Sequence, residues 1–211
     1  MNSKLELKDF RAQFLQDMFV ITVLNNKEHG TYLEIGANHP SHYNNTFVLE
    51  KRLNWLGVSL EISSKHNAIW LNQRKNKCLI ADALTTDYGA LIDEYNLGNI
   101  IDYLSVDIEP PQNTFDALKR IPHDKVKFRV LTFEHDSYSD EEGLRIRSES
   151  REYLSNLGYH MVVNDIGING SSVEDWYVYP ELVDMNRVDM LQCNNETMIN
   201  YNEYFLPKSR S

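Results

Sequence analysis

The chain has 211 residues, with 21 Lys and Arg against 31 Asp and Glu, a net charge of −10. That length can bury one substantial core and favours a single domain over 1–211, while the negative balance disfavours non-specific contact with a phosphate backbone, so nucleic acid is not an expected partner. Cys78 and Cys193 lack metal or disulfide spacing, the start of the chain carries charge where a signal peptide would be apolar, and no window approaches roughly 18 apolar residues; a soluble cytoplasmic protein with no membrane partner is the expectation.

In chain order, Phe10, Phe14, Met18 and Ile21 recur at helical spacing and predict an amphipathic helix over 7–24. Thr31-Tyr32-Leu33-Glu34-Ile35 predicts the first strand, ending abruptly at Gly36-Ala37-Asn38. Asn44 or Asn45 is placed to cap a helix running to about Leu56, with Gly57 as its stop. Strands follow at 58–61, 77–80, 100–107 and 126–133, separated by a helix over 64–75, a poorly defined stretch around Leu91-Ile92 and a short helix over 114–121. Ser139 and Glu142 have capping-box spacing for a helix over 140–157 that Gly158 ends. Residues 159–163 and 174–179 predict a closing antiparallel pair, joined by the turn-rich 164–170, and the tail after about 180 is polar and rich in Asn.

Strands alternating with helices imply a Rossmann-like α/β domain with a mainly parallel sheet, whose ligand site lies beyond the carboxyl ends of the strands. The predicted strands end in acids: Glu34, Glu61, Asp82, Asp107 with Glu109, and Glu134 beside His135 and Asp136. One such acid is easily a cap or a turn residue; five in succession point to one rim. Gly36 allows close backbone approach to a ligand. Glu61, about 25 residues on, is placed for the hydroxyls of a ribose, and Asp82 for an adenine amine. Glu34 is recessed, suited to orienting the glycine turn or a cationic group of a cofactor.

Glu34-Ile35-Gly36-Ala37-Asn38, the Asn44-Asn45-Thr46 helix start, Ser105-Val106-Asp107-Ile108-Glu109 and the upstream Gln13, Gln16 and Asp17 together resemble the FkbM-type family of S-adenosylmethionine-dependent methyltransferases over roughly residues 10–180. The resemblance implies a seven-stranded class I methyltransferase sheet with its last strand antiparallel, and O-methylation of a small molecule or a sugar hydroxyl, with a deoxysugar such as rhamnose as one option. It implies cofactor contacts at Glu34, Gly36, Ala37, Asn38, Glu61, Asp82 and Ala83. The sequence departs from the family where another glycine is usual shortly after Gly36 and His39-Pro40-Ser41-His42 stands instead.

Methyl transfer to an alcohol needs in-line placement and a base. Asp107, Glu109, Glu134 and His135 are the strand-end groups available. His135 is the first choice, since an unperturbed imidazole titrates at about 6.5; the plainer reading is a hydrogen-bonded rim histidine. Asp107 and Glu134 can also offer oxygens to Mg²⁺. His42, Trp176 and Tyr177 are candidate acceptor contacts, the aromatics as a stacking surface for a glycan, against the plainer reading of both as core. Arg145, Arg147 and Arg151 fit a solvated salt-bridged face better than an anion site. Two other classes stay open: an NAD-dependent oxidoreductase, for which the fuller G-x-G-x-x-G pattern is absent, and a non-catalytic module binding a glycan or a partner. The oligomeric state is not legible.

Overall fold

The computed structural model describes residues 5–191 and 199–200; Cys193 and the Lys208-Ser209-Arg210-Ser211 end lie outside them. Strands β1 (Thr31–Ile35), β2 (Leu56–Glu61), β3 (Lys77–Ile80), β4 (Ile100–Val106), β5 (Lys127–Glu134), β6 (His160–Ile168) and β7 (Ser171–Val178) form one sheet in the order β3-β2-β1-β4-β5-β7-β6, extended by the two-residue β8 (Ile199–Asn200) beside β6. Strands β1 to β6 run parallel, and β7, inserted between β5 and β6, is antiparallel to both. The seven-stranded pattern with its last strand reversed is therefore present, and the order reverses direction between β1 and β4, where such sheets open a crevice.

Both faces are covered, and side chains alternating along each strand supply two cores. Leu33, Ile35, Leu104, Leu131 and Tyr177 pack with residues of α4 (Tyr88–Glu94), α5 (Pro111–Arg120) and α6 (Glu141–Asn156). Tyr32, Tyr103, Val130 and Trp176 pack with α1 (Gln16–Val23), α2 (Phe47–Leu53) and Val188 of the short α7 (Met185–Asp189). A further helix, α3 (Asn67–Gln73), precedes β3.

Several local expectations are corrected. The helix expected over 7–24 is a single 3-10 turn, Leu7–Asp9, followed by irregular chain and then α1. Asp17 is the cause: its carboxylate accepts from the backbone N–H of Arg11, Ala12 and Met18, and Gln16 accepts from Phe14, so side chains take the donors a continuous helix would use. The helix α2 ends at Asn54 in the left-handed region (φ 57°), not at Gly57. Gly57 lies inside β2 because a Cβ there would sit 2.5 Å from the Tyr32 ring. Asp140, not Ser139, caps α6 by accepting from Gly143, while the Ser139 hydroxyl donates to the Asp136 carbonyl. The segment 164–168 is strand, and only Asn169-Gly170 turns, both with positive φ as a tight hairpin requires.

The loop between β1 and α2 is held from beneath by Arg74. Its side chain is wholly buried and pairs with Glu50 (Nε to Oε2 2.6 Å). The remaining guanidinium hydrogens go to the Pro40 carbonyl, Asn44 Oδ1, Thr46 Oγ1 and the Tyr32 hydroxyl. Glu34 belongs to the same layer, accepting from Ser59 Oγ at 2.6 Å and Thr46 Oγ1 at 3.0 Å. Removing one partner of a buried pair strands the other charge. Arg74→Leu is therefore expected to cost about 3–5 kcal/mol in urea unfolding, and Arg74→Leu with Glu50→Leu should recover part of that loss; equal costs for the single and double variants would contradict the pairing.

A second buried carboxyl carries a pH signature. Glu174 on β7 accepts from Trp176 Nε1 at 2.7 Å, and burial raises its pKa to about 8. A carboxyl with a raised folded pKa contributes stability below its unfolded pKa and loses it as pH climbs through the folded one. Glu174→Gln should gain stability relative to the unsubstituted chain from about pH 4.5 upward, reaching at least about 1 kcal/mol by pH 8; an advantage equal at pH 5 and pH 8 in urea titrations would contradict it.

Candidate functional site

At the β1–β4 crevice the ends of two neighbouring parallel strands approach closely. Gly36 has φ +89°, and a Cβ on it would stand 1.6 Å from the Asp107 carbonyl oxygen, so only glycine fits where β1 leaves the sheet beside β4. The approach is fixed by hydrogen bonds on both sides. The Gly36 and Ala37 N–H groups donate to the Leu60 carbonyl, and the Asp107 N–H donates to Ile35.

Beyond these strand ends opens a cleft of about 590 Å³, within the range of small-molecule and cofactor sites. Gly36, Asn38, Glu61, Asp82 and Ala83 line one part of it, and Asp107, Glu109, Glu134 and Asp136 another. Nine of the residues named from sequence thus meet at one cavity, contributed by the ends of five strands. Glu61 is already oriented: Oε2 accepts from the Asn38 N–H at 2.8 Å and Oε1 from Ser63 at 2.8 Å. Asp82 Oδ1 accepts from Leu84 N–H at 2.8 Å.

The second part is an electrostatic trap. Asp107 and Glu134 are hydrogen-bonded to each other, with Asp136 and Glu109 close enough to act on them. Burial, and then the neighbouring carboxylates, push Asp107 up to about 6 and Glu134 well above the usual carboxyl range; Asp136 is raised by burial first. In such a pair the proton is bound by the two carboxyls together and belongs to the pair.

Other sequence expectations are not brought to the cleft. Glu34 is 1% exposed and serves the Arg74 layer. Ala37 is buried and acts through its backbone hydrogen bond. His135 is fully buried on the far side of its strand end: Nδ1 accepts from the Ser137 N–H, which leaves the ring proton on Nε2, facing Asp175 Oδ1 at 3.5 Å. It has no access to an acceptor, and the general-base assignment to His135 is corrected. Trp176 and Tyr177 are also core, at 0% and 1% exposure. Trp176 stacks on Phe19 and Tyr177 bonds to Asp175, because β7 is a central strand covered on both faces. The expected glycan-stacking role for these two is withdrawn. His42 is exposed and outside the cleft lining, its ring lying 4.1 Å from that of Tyr43, which does line it.

Tyr43, Asn113 and Tyr138 are lining residues that sequence reasoning missed. They sit in loops or at a helix start, where no periodicity marks them. Gln13 also lines the cleft, and sequence reasoning had noted it only as part of the family resemblance.

Among the described residues, one set of three metal-type ligands lies within 4.8 Å, namely His135, Asp165 and Asp175. Its charges are already matched. Arg151 binds Asp175 through two nitrogens and also reaches Asp165, and Arg147 binds Asp165. Two carboxylates facing two guanidinium groups leave no charge for a divalent ion to neutralise. The arginines of α6 are thus structural ion pairs, reaching strand acids as well as their own helix face. Asp107 and Glu134, named for Mg²⁺, do share the cleft.

No family model matches the sequence, and no curated protein does. Solved structures do match in fold. A "putative rRNA-methylase" from Clostridium thermocellum superposes with a TM-score of 0.54 at 13% identity, covering 82% of this chain and 99% of the other. A "putative hemolysin" from Streptococcus thermophilus gives 0.54 at 13% identity over 83% and 68%. Fibrillarin in its complex with NOP5P gives 0.51 at 14% identity over 71% and 72%. The shared feature is the mainly parallel Rossmann-like sheet with its reversed last strand, the class I methyltransferase fold.

Proposed function

We propose that the protein is an S-adenosylmethionine-dependent methyltransferase acting on a small polar acceptor. The observation that carries this reading is the close approach of Gly36 to Asp107, which sets Glu61 and the Asp107–Glu134 pair around one cleft. The FkbM-type resemblance of the two segments that meet there adds support, and points to a sugar hydroxyl as acceptor. A nicotinamide-dependent oxidoreductase is less favoured, since the loop after Gly36 lacks the further glycines that bring a backbone against a pyrophosphate.

The donor supplies an electrophilic methyl group on a sulfonium. The chain's own residues do the rest. Glu61, its carboxylate held by Asn38 and Ser63, accepts from ribose hydroxyls, and Asp82 is placed for the base. Gly36, without a Cβ, keeps the cleft floor open. Asp107, which lines the cleft directly beside Gly36, is the carboxylate that takes the acceptor's proton as its oxygen or nitrogen attacks, with Glu134 as its hydrogen-bonded partner. This moves the base from His135 to Asp107. The same two carboxylates are the oxygen donors that Mg²⁺ would use, and EDTA treatment of the active enzyme decides whether one takes part.

S-adenosylhomocysteine should raise the melting temperature, because it binds the folded chain only; at about 100 times Kd the gain is about 2.7 kcal/mol. Glu61→Ala removes hydrogen bonds from a charged acceptor, and Kd should rise roughly ten- to hundredfold, about 1.5–3 kcal/mol, by isothermal titration calorimetry. A shift with NAD and none with S-adenosylhomocysteine at millimolar concentration would reverse the assignment. Failure to bind either would favour a binding module.

A further inference from the structure

The lining of the cleft is unusual in sign. Six of its residues are acidic, Glu61, Asp82, Asp107, Glu109, Glu134 and Asp136, and among the described residues no lysine, arginine or histidine lines it. Several arginines of the neighbouring elements are committed elsewhere: Arg74 to Glu50, Arg145 to Glu149 and Gln112, and Arg147 and Arg151 to Asp165 and Asp175. Glu61 and Asp82 accept backbone hydrogen bonds. Of the other four acids, Glu134 is hydrogen-bonded to Asp107 and Asp136, and Glu109 lies within electrostatic reach of those two.

Two tyrosines complete this half. Tyr43 and Tyr138 line the cleft yet are 59% and 56% exposed; the Tyr43 ring carries the His42 ring 4.1 Å away on one side, which leaves Tyr138 as the open aromatic surface at the edge. The Tyr138 hydroxyl stands close enough to Asp136 for that carboxylate to be the first cause of its raised pKa. Open tyrosine faces beside carboxylates are the surroundings in which ammonium groups bind, by ion pairing and cation–π contact together.

We infer that the acceptor carries a protonated amine, seated between the Glu109 and Asp136 carboxylates and against the Tyr138 ring. This rests on the methyl-transfer reading above and names its substrate class. An anionic acceptor would meet an acidic lining that has no cationic side chain among the described residues. A neutral polyol would leave the Glu109 and Asp136 carboxylates without a cationic partner in the cleft. The donor does not cancel the field, since its sulfonium and ammonium against one carboxylate bring a net charge of one to six acids. An amino sugar meets both the charge and the polyol expectation, with Asp107 free to take the proton from the group that is methylated.

The test is calorimetric titration of the protein saturated with S-adenosylhomocysteine, using glucosamine, putrescine and ethanolamine against N-acetylglucosamine, glucose and glucuronate. At least one amine should bind, and N-acetylation of glucosamine should weaken binding at least tenfold. The Glu109→Gln and Asp136→Asn double variant should lose that preference while keeping the thermal shift with S-adenosylhomocysteine. Equal binding of neutral counterparts, binding of glucuronate, a requirement for Mg²⁺ that EDTA reveals, or no binding by any of the amines would each overturn the inference. If the S-adenosylhomocysteine shift is itself missing, the methyl-transfer reading fails instead, so the two failures are distinct.

Discussion

Everything at the site depends on one steric constraint, the close approach of the ends of β1 and β4 at Gly36. With a Cβ excluded by the Asp107 carbonyl, the two strand ends lie in contact, and their backbone amides are tied to Leu60 and Ile35. This closeness brings the end of β2, carrying Glu61, and the end of β4, carrying Asp107, to opposite sides of a single cleft. It also opens the strand-order reversal between β1 and β4 as a floor without side chains, where a ligand can lie against backbone.

A loop that lacks further glycines needs another source of order. Here the buried Arg74 supplies it, spending its donors on Glu50 and on four groups that belong to the loop, to the start of α2 and to β1. Asn44 adds a bond to the Ala37 carbonyl, and Trp70 one to Asn38. The loop is therefore preorganised by side chains, and the departure from the usual glycine pattern changes how the turn is held more than where it lies. Glu34, which looked like a ligand contact, is part of this scaffold.

How much of this was legible depended on the range of the interaction. Periodicity and breakers placed the strands and most helices, because those are local signals. The strand-end acids were legible as a set, since the fold rule that collects strand ends turns scattered residues into one rim. What failed was orientation. His135 sits between two cleft residues, Glu134 and Asp136, yet its ring turns away into the α6 ion-pair layer, a choice made by Ser137 and Asp175 that no spacing reveals. Trp176 and Tyr177 could face solvent only if one face of the sheet at β7 were uncovered, and which faces the helices cover is a global property. Arg74, a lone arginine in Gln73-Arg74-Lys75-Asn76, had no sequence signal, although it organises the loop the sequence did mark.

The central claim is that one cleft holds a methyl donor on the Glu61 side and presents its sulfur to the Asp107–Glu134 pair. A crystal structure of the complex with S-adenosylhomocysteine tests it most directly. The account predicts ribose hydroxyls on Glu61, the base beside Asp82 and Ala83, and the sulfur facing Asp107 and Glu134 with the Tyr43 and Tyr138 side open for an acceptor. A ligand bound away from Gly36, or one whose sulfur points from Asp107 and Glu134 toward Glu61, would contradict it.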